Sequence, residues 1–409
     1  MKITIIENKK FAKISGDKNP LHLNYKFASK FFVKEPIVHG MNVVIMALTK
    51  FINKSKKKIF VKKLQINFIN YIHASEEFEL KFTRNNILVY NKLNNKIKIN
   101  IIYSKYSKKI TPLDRALKKK FNIKNLINNS ILNELLFISY YAGTVKPGIG
   151  ALINKVNLDF ENSKILGNKK KINVKRKLKN FFTINYLNKH YKVNILANKL
   201  KPFTFQNSKT GINSYSLNKI KSKKILIFGS SSDIAKRLLI KKIKKKCKIL
   251  NYSFRINFNN PKISSIEKQK LTKFCKINRP DFIFYLSSAP IYNGSLKENR
   301  FLFKFYKMIY VDYFKILLQI IKKNDLSCKI FYPSTIALDN FQFYKRLECY
   351  LLAKKIGENL CKKDLYKSYV KFFRIPQLIS RSNYNLFGYY EGKKLSIIDN
   401  YINKFFKLI

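Results

Sequence analysis

Asp17 and His22 stand five residues apart across a proline turn, with Asn19 between them, in the string FAKISGDKNPLHLN running from Phe11 to Asn24. That spacing lets a carboxylate and an imidazole point into one pocket and share a water. One can then take a proton from the water while the other delivers one to carbon. Addition of water to an α,β-unsaturated thioester needs both jobs done, and an amide such as Asn19 can orient the water or the carboxylate. The enolate that develops needs a backbone donor, which a glycine at the start of a buried helix supplies. A plainer reading has Gly-Asp and Asn-Pro merely capping and turning the chain. It covers Asp17, Asn19 and Pro20, yet leaves His22 unexplained in a chain with four histidines.

The same string resembles the signature of the MaoC-like (R)-specific enoyl-CoA hydratases, a branch of the hot-dog fold. The family pattern of S-G-D-x-N-P-x-H followed by a small polar residue is met by Ser15, Gly16, Asp17, Asn19, Pro20, His22 and Asn24, and its later His-Gly pair by His39 and Gly40. The resemblance implies that Asp17, Asn19 and His22 are catalytic and that Gly40 is the oxyanion donor. The stretch SYYAGTVKPGIGALINKVNLDF resembles the central helix, turn and following strand of a second hot-dog unit without the polar motif. In similar double hot-dog hydratases such a half makes room for the acyl tail, so it is expected to be noncatalytic.

A second candidate lies further on. Residues 223–237, KKILIFGSSSDIAKR, form an apolar strand, a small-residue turn and a helix start. This resembles the opening of the short-chain dehydrogenase/reductases, whose glycine-rich turn meets the pyrophosphate of a dinucleotide. Gly229 holds the first glycine position, while Asp233 and Ala235 replace the second and third. The resemblance places the cofactor on Gly229, Ser230, Ser231, Ser232, Asp233, Ile234 and Ser288. The family's catalytic Tyr-x-x-x-Lys is matched by Tyr350 and Lys354. With 25 Tyr and 74 Lys, about four or five such pairs arise by chance, and Tyr215/Lys219, Tyr389/Lys393 and Tyr390/Lys394 also fit. Position favours Tyr350, on an apparent helix after the strand KIFYPSTIAL, where spacing of four puts Tyr350 and Lys354 on one face. The hydroxyl partner is Ser334 by type or Thr335 by counting. The position of a common catalytic Asn holds Asp312. No acid ends the second strand, whereas Arg255 lies nearby, which favours NADP over NAD.

The elements that must position these groups fall into three segments. Residues 1–103 open with a short strand, then the polar motif, an apolar helix from about Val38 to Ile52, and strand runs IFVKKLQINFINYI, EEFELKF and KIKINIIY. Residues 104–205 repeat that order, with a helix from Ile131 to Ala142 and strands NKVNLDF, FFTINYL and YKVNILA. Residues 206–221 look like a linker. From 222 to 409 strands and helices alternate, the mark of a parallel α/β domain. The expected folds are an α+β double hot-dog in the N-terminal half and a Rossmann-like doubly wound parallel sheet in the C-terminal domain.

Composition excludes several classes. The chain has 409 residues, 46% of them hydrophobic, enough for large cores. Lys and Asn interrupt every apolar run below the roughly 20 residues of a membrane span. The start MKITIIENKK lacks a secretory signal, which points to a cytoplasmic protein. A charge of +62 suggests a polyanion partner. Yet only 10 of the 84 basic residues are Arg, and the 22 acids divide 6, 4 and 12 over the three segments. Depletion of acids is therefore chain-wide rather than a binding face, and specific nucleic-acid readout is not expected. Five cysteines without a CxxC pair and four histidines give no expectation of a metal.

The two halves share a chemistry: a reductase of this type makes the 3-hydroxyacyl thioester that a hydratase of this type dehydrates. The leading expectation is thus a bifunctional hydratase/dehydratase and NAD(P)-dependent reductase acting on acyl-CoA or acyl-carrier thioesters. Rivals are a hydratase with a noncatalytic Rossmann-like domain and a nonenzymatic polyanion-binding protein. A homodimer follows from the resemblance to hot-dog domains, which commonly pair.

Overall fold

The computed structural model describes residues 1–33, 35–55, 59–105, 129–160, 172–178, 180–187, 191–203, 211–230, 232–238, 243, 245–254, 261–380 and 392–409. They form two compact units, one of the described residues up to 203 and one of those from 211 onward.

The first unit opens with a helix, α1 (Ile5–Ser15), where the sequence suggests a short strand. Local chemistry decides against the apolar run: the Thr4 hydroxyl accepts from Glu7 N while the Glu7 carboxylate accepts from Thr4 N, a reciprocal capping box. Gly16, at φ 78°, ends the helix and releases the chain into the polar motif. Helix α2 (Gly40–Ser55) buries Met41, Val43, Val44, Ile45, Ala47, Leu48, Phe51 and Ile52. Helix α3 (Asn129–Tyr140) runs on into a π-helical turn, Tyr141–Val145.

Eight antiparallel strands face these helices: β1 (Ile59–Phe68), β2 (Glu79–Phe82), β3 (Asn86–Tyr90), β4 (Asn95–Lys105), β5 (Ala151–Phe160), β6 (Asn173–Leu178), β7 (Phe181–Leu187) and β8 (Tyr191–Lys199). Their order is β2-β3-β4-β1-β5-β8-β7-β6. Each half of that sheet has the same plan, with its first strand at the centre, its fourth beside it and its second at the edge. The two first strands pair with each other, from Lys63↔Asp159 to Asn67↔Lys155. Both carry a register shift after their third residue, at Val61/Lys63 in β1 and Ile153/Lys155 in β5. The shift is why Val61 and Leu64, three apart, both face the core. Strands β3 and β6 are additions to the sequence reading. NILVY is short between asparagines, and NVKRKL is a charged, largely exposed edge strand with no apolar alternation. One core unites both helices with both halves of the sheet, including Leu48, Leu135, Ile66 and Val156.

The second unit is a parallel sheet of β9 (Lys224–Phe228), β10 (Lys248–Tyr252), β11 (Phe282–Tyr285), β12 (Lys329–Thr335) and β13 (Val370–Ile375). Their order β10-β9-β11-β12-β13 reverses direction between β9 and β11, the switch point of a doubly wound α/β fold. The fragment DFIFYL, read as the end of a fourth strand, is the third among the described residues. The supposed linker is partly a correction too. Helix α4 (Ser214–Lys219) lies within it, and Ile212, Leu217 and Ile220 join this unit's core. Further helices are α5 (Asp233–Leu238), α6 (Ser265–Asn278), α7 (Arg300–Lys307), α8 (Tyr313–Lys323), α9 (Glu348–Lys362) and α10 (Ile398–Lys407). A buried bidentate pair joins α5 to α10: Arg237 Nε donates to Asp399 Oδ1 at 3.1 Å and Nη2 to Oδ2 at 2.5 Å. Asp399 Oδ2 also accepts from Gly211 N at 2.6 Å. No helix among the described residues is long and apolar enough to cross a membrane.

Candidate functional site

Asp17 follows the glycine cap of α1 and is buried, 3% exposed. Its Oδ1 accepts from Asn19 N at 3.1 Å, holding the turn, and its Oδ2 accepts from Ser139 Oγ at 2.7 Å. Burial raises its pKa above the ordinary carboxylate value, against the charge of His22 and the hydrogen bonds of Ser139 and Asn19. His22 Nδ1 stands 2.9 Å from the carbonyl oxygen of Ile37. A carbonyl only accepts, so Nδ1 carries the proton and the other ring nitrogen is left as a base. Burial lowers the His22 pKa, which keeps the ring neutral; the Asp17 carboxylate works the other way.

His39 stacks on His22 with ring centroids 3.9 Å apart. Its Nε2 lies 3.3 Å from the Asp17 carbonyl oxygen and 4.0 Å from Asp17 Oδ2. Burial holds its pKa well below the usual histidine value, helped by His22. One nitrogen of each ring and an Asp17 oxygen all lie within 4.8 Å of one another. Two imidazoles and a carboxylate form a possible ligand set by type. The rings are stacked at 29°, however, so their in-plane lone pairs run nearly side by side instead of converging on one ion.

Asn19 departs from its expected role. Its Oδ1 accepts from Leu21 N and Gly150 N, both at 3.2 Å, and its Nδ2 donates to the Ala151 carbonyl at 3.0 Å. The amide is committed to backbone and ties the motif to the start of β5 rather than orienting a water. Gly40 does open α2, with its amide among the first-turn N–H groups that no helical carbonyl can reach. A Cβ there would lie 2.5 Å from Phe68 Cε1, so any larger residue would have to displace the Phe68 ring.

Residues of the second half-sheet, expected only to make room for a substrate tail, reach the motif directly. Besides Ser139, Gly150 and Ala151, the Thr144 hydroxyl accepts from Lys18 N at 3.1 Å and donates to Gly16 O at 3.3 Å. Gly143 sits against the Asp17 carboxylate, and a Cβ there would be 2.2 Å from Oδ1. Ser139 precedes the π turn and Gly143 and Thr144 lie within it, a distortion frequent at functional sites. The string SYYAGTV contains them all, but no spacing in it reveals that they face Asp17.

In the second unit, Gly229 follows β9 at φ 75°, where a Cβ would strike the backbone of Leu286 and Ser287 at 2.8 Å. Ser230 is half-buried in that turn. Ser232 Oγ accepts from Ala235 N at 3.0 Å, capping α5; Asp233 is buried in its first turn and Ile234 packs on the core. Ser288 is exposed beyond β11. Ser231 and Arg255 lie outside the described residues.

Tyr350 and Lys354 are both buried on α9. Burial lifts the Tyr350 pKa above the ordinary phenol value, against the opposing effect of the nearby Thr335 hydroxyl. Successive residues of β12 face opposite sides, and Ser334 is buried beside the Glu358 carboxylate, outside good hydrogen-bond geometry. Lys354 Nζ donates to the Pro333 carbonyl at 2.8 Å and lies 4.0 Å from the centre of the Tyr310 ring. Burial pulls its pKa down to about 7. Asp312 is paired with Lys307 at 2.7 Å.

Comparison with known proteins bears on the two units differently. The chain is similar, at 13% identity and a TM-score of 0.38, to an oxidoreductase from E. coli over 46% of this chain and 91% of that one. A putative short chain dehydrogenase from Shigella flexneri, solved with NADP, gives 13%, 0.36, 46% and 92%. A putative short chain dehydrogenase from Escherichia coli CFT073, solved with NADPH, gives 12%, 0.37, 47% and 93%. At such scores the second unit's fold rests on its own strand order. No curated protein matches the chain. Residues 1–102 match the family described as "MaoC like domain".

Proposed function

We propose that the first unit adds water to, or removes it from, an α,β-unsaturated acyl thioester carried on coenzyme A or a carrier protein, giving the (R)-3-hydroxy product. The observation that carries this reading is the buried facing of Asp17 and His22, with His22 Nδ1 committed to Ile37 so that its other nitrogen is a free base. In hydration the Asp17–His22 pair removes a proton from water as its oxygen bonds to C3. The electron pair of the double bond moves toward the thioester oxygen, where the Gly40 amide donates to it. The pair then returns a proton to C2, and dehydration reverses each step. We take the second half of the sheet as a second hot-dog that lacks the polar motif and completes the pocket of the first.

For the second unit the placement of Tyr350 and Lys354 four apart on α9, with the Thr335 hydroxyl near Tyr350, supports a carbonyl reductase. A bound NADPH would supply the hydride, and the Gly229 turn with Ser230, Ser232 and Asp233 would hold it. Tyr350 would hold the proton at its hydroxyl, toward a substrate carbonyl. Lys354 fits this scheme less well, since its ammonium is spent on Pro333 and covered by Tyr310. That burial favours a second reading in which the unit is not catalytic.

Hydration of crotonyl-CoA by the full chain, followed by loss of the conjugated thioester absorbance, tests the first site. Asp17→Asn and His22→Ala should each lower the rate about 10²-fold or more. No hydration by folded wild type, with longer acyl and carrier-bound substrates included, overturns the proposal. NADPH titration of the full chain separates the two readings of the second unit. Binding, with 3-oxoacyl reduction lost in Tyr350→Phe, supports the reductase; no binding supports the noncatalytic reading.

A further inference from the structure

Asn8 lies at 0% exposure in the middle of α1, in a turn whose neighbouring buried residues are apolar. A polar side chain buried there must be hydrogen-bonded or it destabilises the fold. Each of its four contacts leads to one of the two histidines or to the carbonyl that holds one. Nδ2 donates to the His22 carbonyl at 3.2 Å and to the Ile37 carbonyl at 3.0 Å. Oδ1 accepts from His39 N at 3.3 Å and faces His39 Nδ1 at 3.4 Å.

These contacts leave the amide one orientation. Both oxygens near Nδ2 are carbonyls, so the NH2 group must face them and Oδ1 must face His39. The Ile37 carbonyl then accepts twice, from Asn8 and from His22 Nδ1. Asn8 thereby holds the carbonyl in place beside His22 Nδ1, and a carbonyl held there can be met only by the Nδ1–H form of the ring. The same Asn8 also anchors the backbone of His22 itself. On the other side it grips His39, whose ring lies flat against that of His22. A residue before the motif thus fixes the orientation and the tautomer of the base.

We infer that Asn8 is a positioning residue of the acid–base site, acting through the Ile37 carbonyl to keep His22 in its Nδ1–H form. The inference rests on the hydratase reading for its effect on rate, but not for its effect on the ring. Full-length protein labelled with ¹⁵N-histidine has only four imidazoles to assign. Long-range ¹H–¹⁵N correlation shows which nitrogen of each is protonated.

Wild type should show His22 as the Nδ1–H tautomer at neutral pH. In Asn8→Leu, which keeps the branched shape in a somewhat larger side chain and removes every side-chain hydrogen bond, His22 should become a mixture of tautomers. The crotonyl-CoA hydration kcat should fall about tenfold or more with KM changed by less than about threefold, as expected when geometry rather than binding is lost. Asn8→Asp keeps the size and the acceptor toward His39 but, as the carboxylate, cannot donate to Ile37. It should match Asn8→Leu at His22, and it tests the same point should the leucine variant not fold. His22 remaining wholly Nδ1–H in the folded variants overturns the inference, and so does an altered tautomer with unchanged kcat in an active enzyme. Should wild type hydrate no thioester, the hydratase reading fails while the imidazole spectra still decide the role of Asn8.

Discussion

Ser139 donates a 2.7 Å hydrogen bond to Asp17 from 122 residues away in the chain, bringing the second half-sheet's helix onto the carboxylate of the first half's motif. The site is therefore a joint product of both halves, although only one of them carries the recognisable residues.

The Ser139 hydroxyl lowers the Asp17 pKa against the effect of burial. In Ser139→Ala the carboxyl should titrate higher, and the acid limb of the pH–rate profile should move up with it. At neutral pH crotonyl-CoA hydration should drop about tenfold. A profile that keeps its shape would show that the hydroxyl does not tune the acid.

Gly143 presses on the same carboxylate from another side. A methyl group there would need to occupy space 2.2 Å from Asp17 Oδ1, and the carboxylate, not the backbone, is the part free to turn away. Gly143→Ala should cost about 10²-fold in rate while circular dichroism shows an intact fold. Retained activity would mean the π turn yields instead.

Acid should weaken the fold through the stacked histidines. Burial holds both His22 and His39 below their unfolded value in the folded state. As pH falls past about 6.5 the unfolded chain takes up protons first, so stability drops, by at most about 1.4 kcal/mol per pH unit for each ring. Asp17, raised by burial, has the opposite sign and contributes increasing stability as pH falls through its folded value. Urea unfolding midpoints should fall between pH 7 and 5, and less steeply in His39→Gln. Equal slopes in the two proteins would refute this.

Lys354 acts in the alkaline range. Its pKa is about 7 in the folded state, lowered by burial, against about 10.5 when unfolded. Between those values the unfolded chain binds the extra proton, so raising the pH favours the fold by at most about 1.4 kcal/mol per unit. Melting temperatures of wild type and Lys354→Met, compared from pH 7 to 10, should differ by an amount that shifts steadily in favour of wild type. A constant difference would show that the amine is not desolvated as the structure places it.

Much of this was legible from short-range chemistry. The polar motif, the helix beginning at Gly40 and the parallel order after residue 222 each announce themselves within a few residues, because caps, turns and periodicity are local. The first helix was missed because the apolar pattern of MKITII outweighed the Thr4–Glu7 box that starts it. Strand β6 was missed because an exposed edge needs no apolar residues. The residues that complete the site were illegible for a different reason. Ser139, Gly143 and Asn8 are ordinary in type and reach Asp17 or His22 only through tertiary contacts. Ser334 and Thr335 posed a similar problem, alike in type: one step along β12 turns a side chain to the other face, and only the folded strand sets Thr335 near Tyr350.

The contacts of Asp399 also constrain how the protein can be made. Its carboxylate neutralises Arg237 and accepts from Gly211, so α5 and the segment leading into α4 are both fastened to α10 by one residue. Until residue 399 has left the ribosome, Arg237 lacks this carboxylate in its buried place, and losing one partner of a buried ion pair costs several kcal/mol. The Rossmann-like unit therefore gains this brace only once residue 399 is made, while the sheet before it has all its described strands once residue 199 is free.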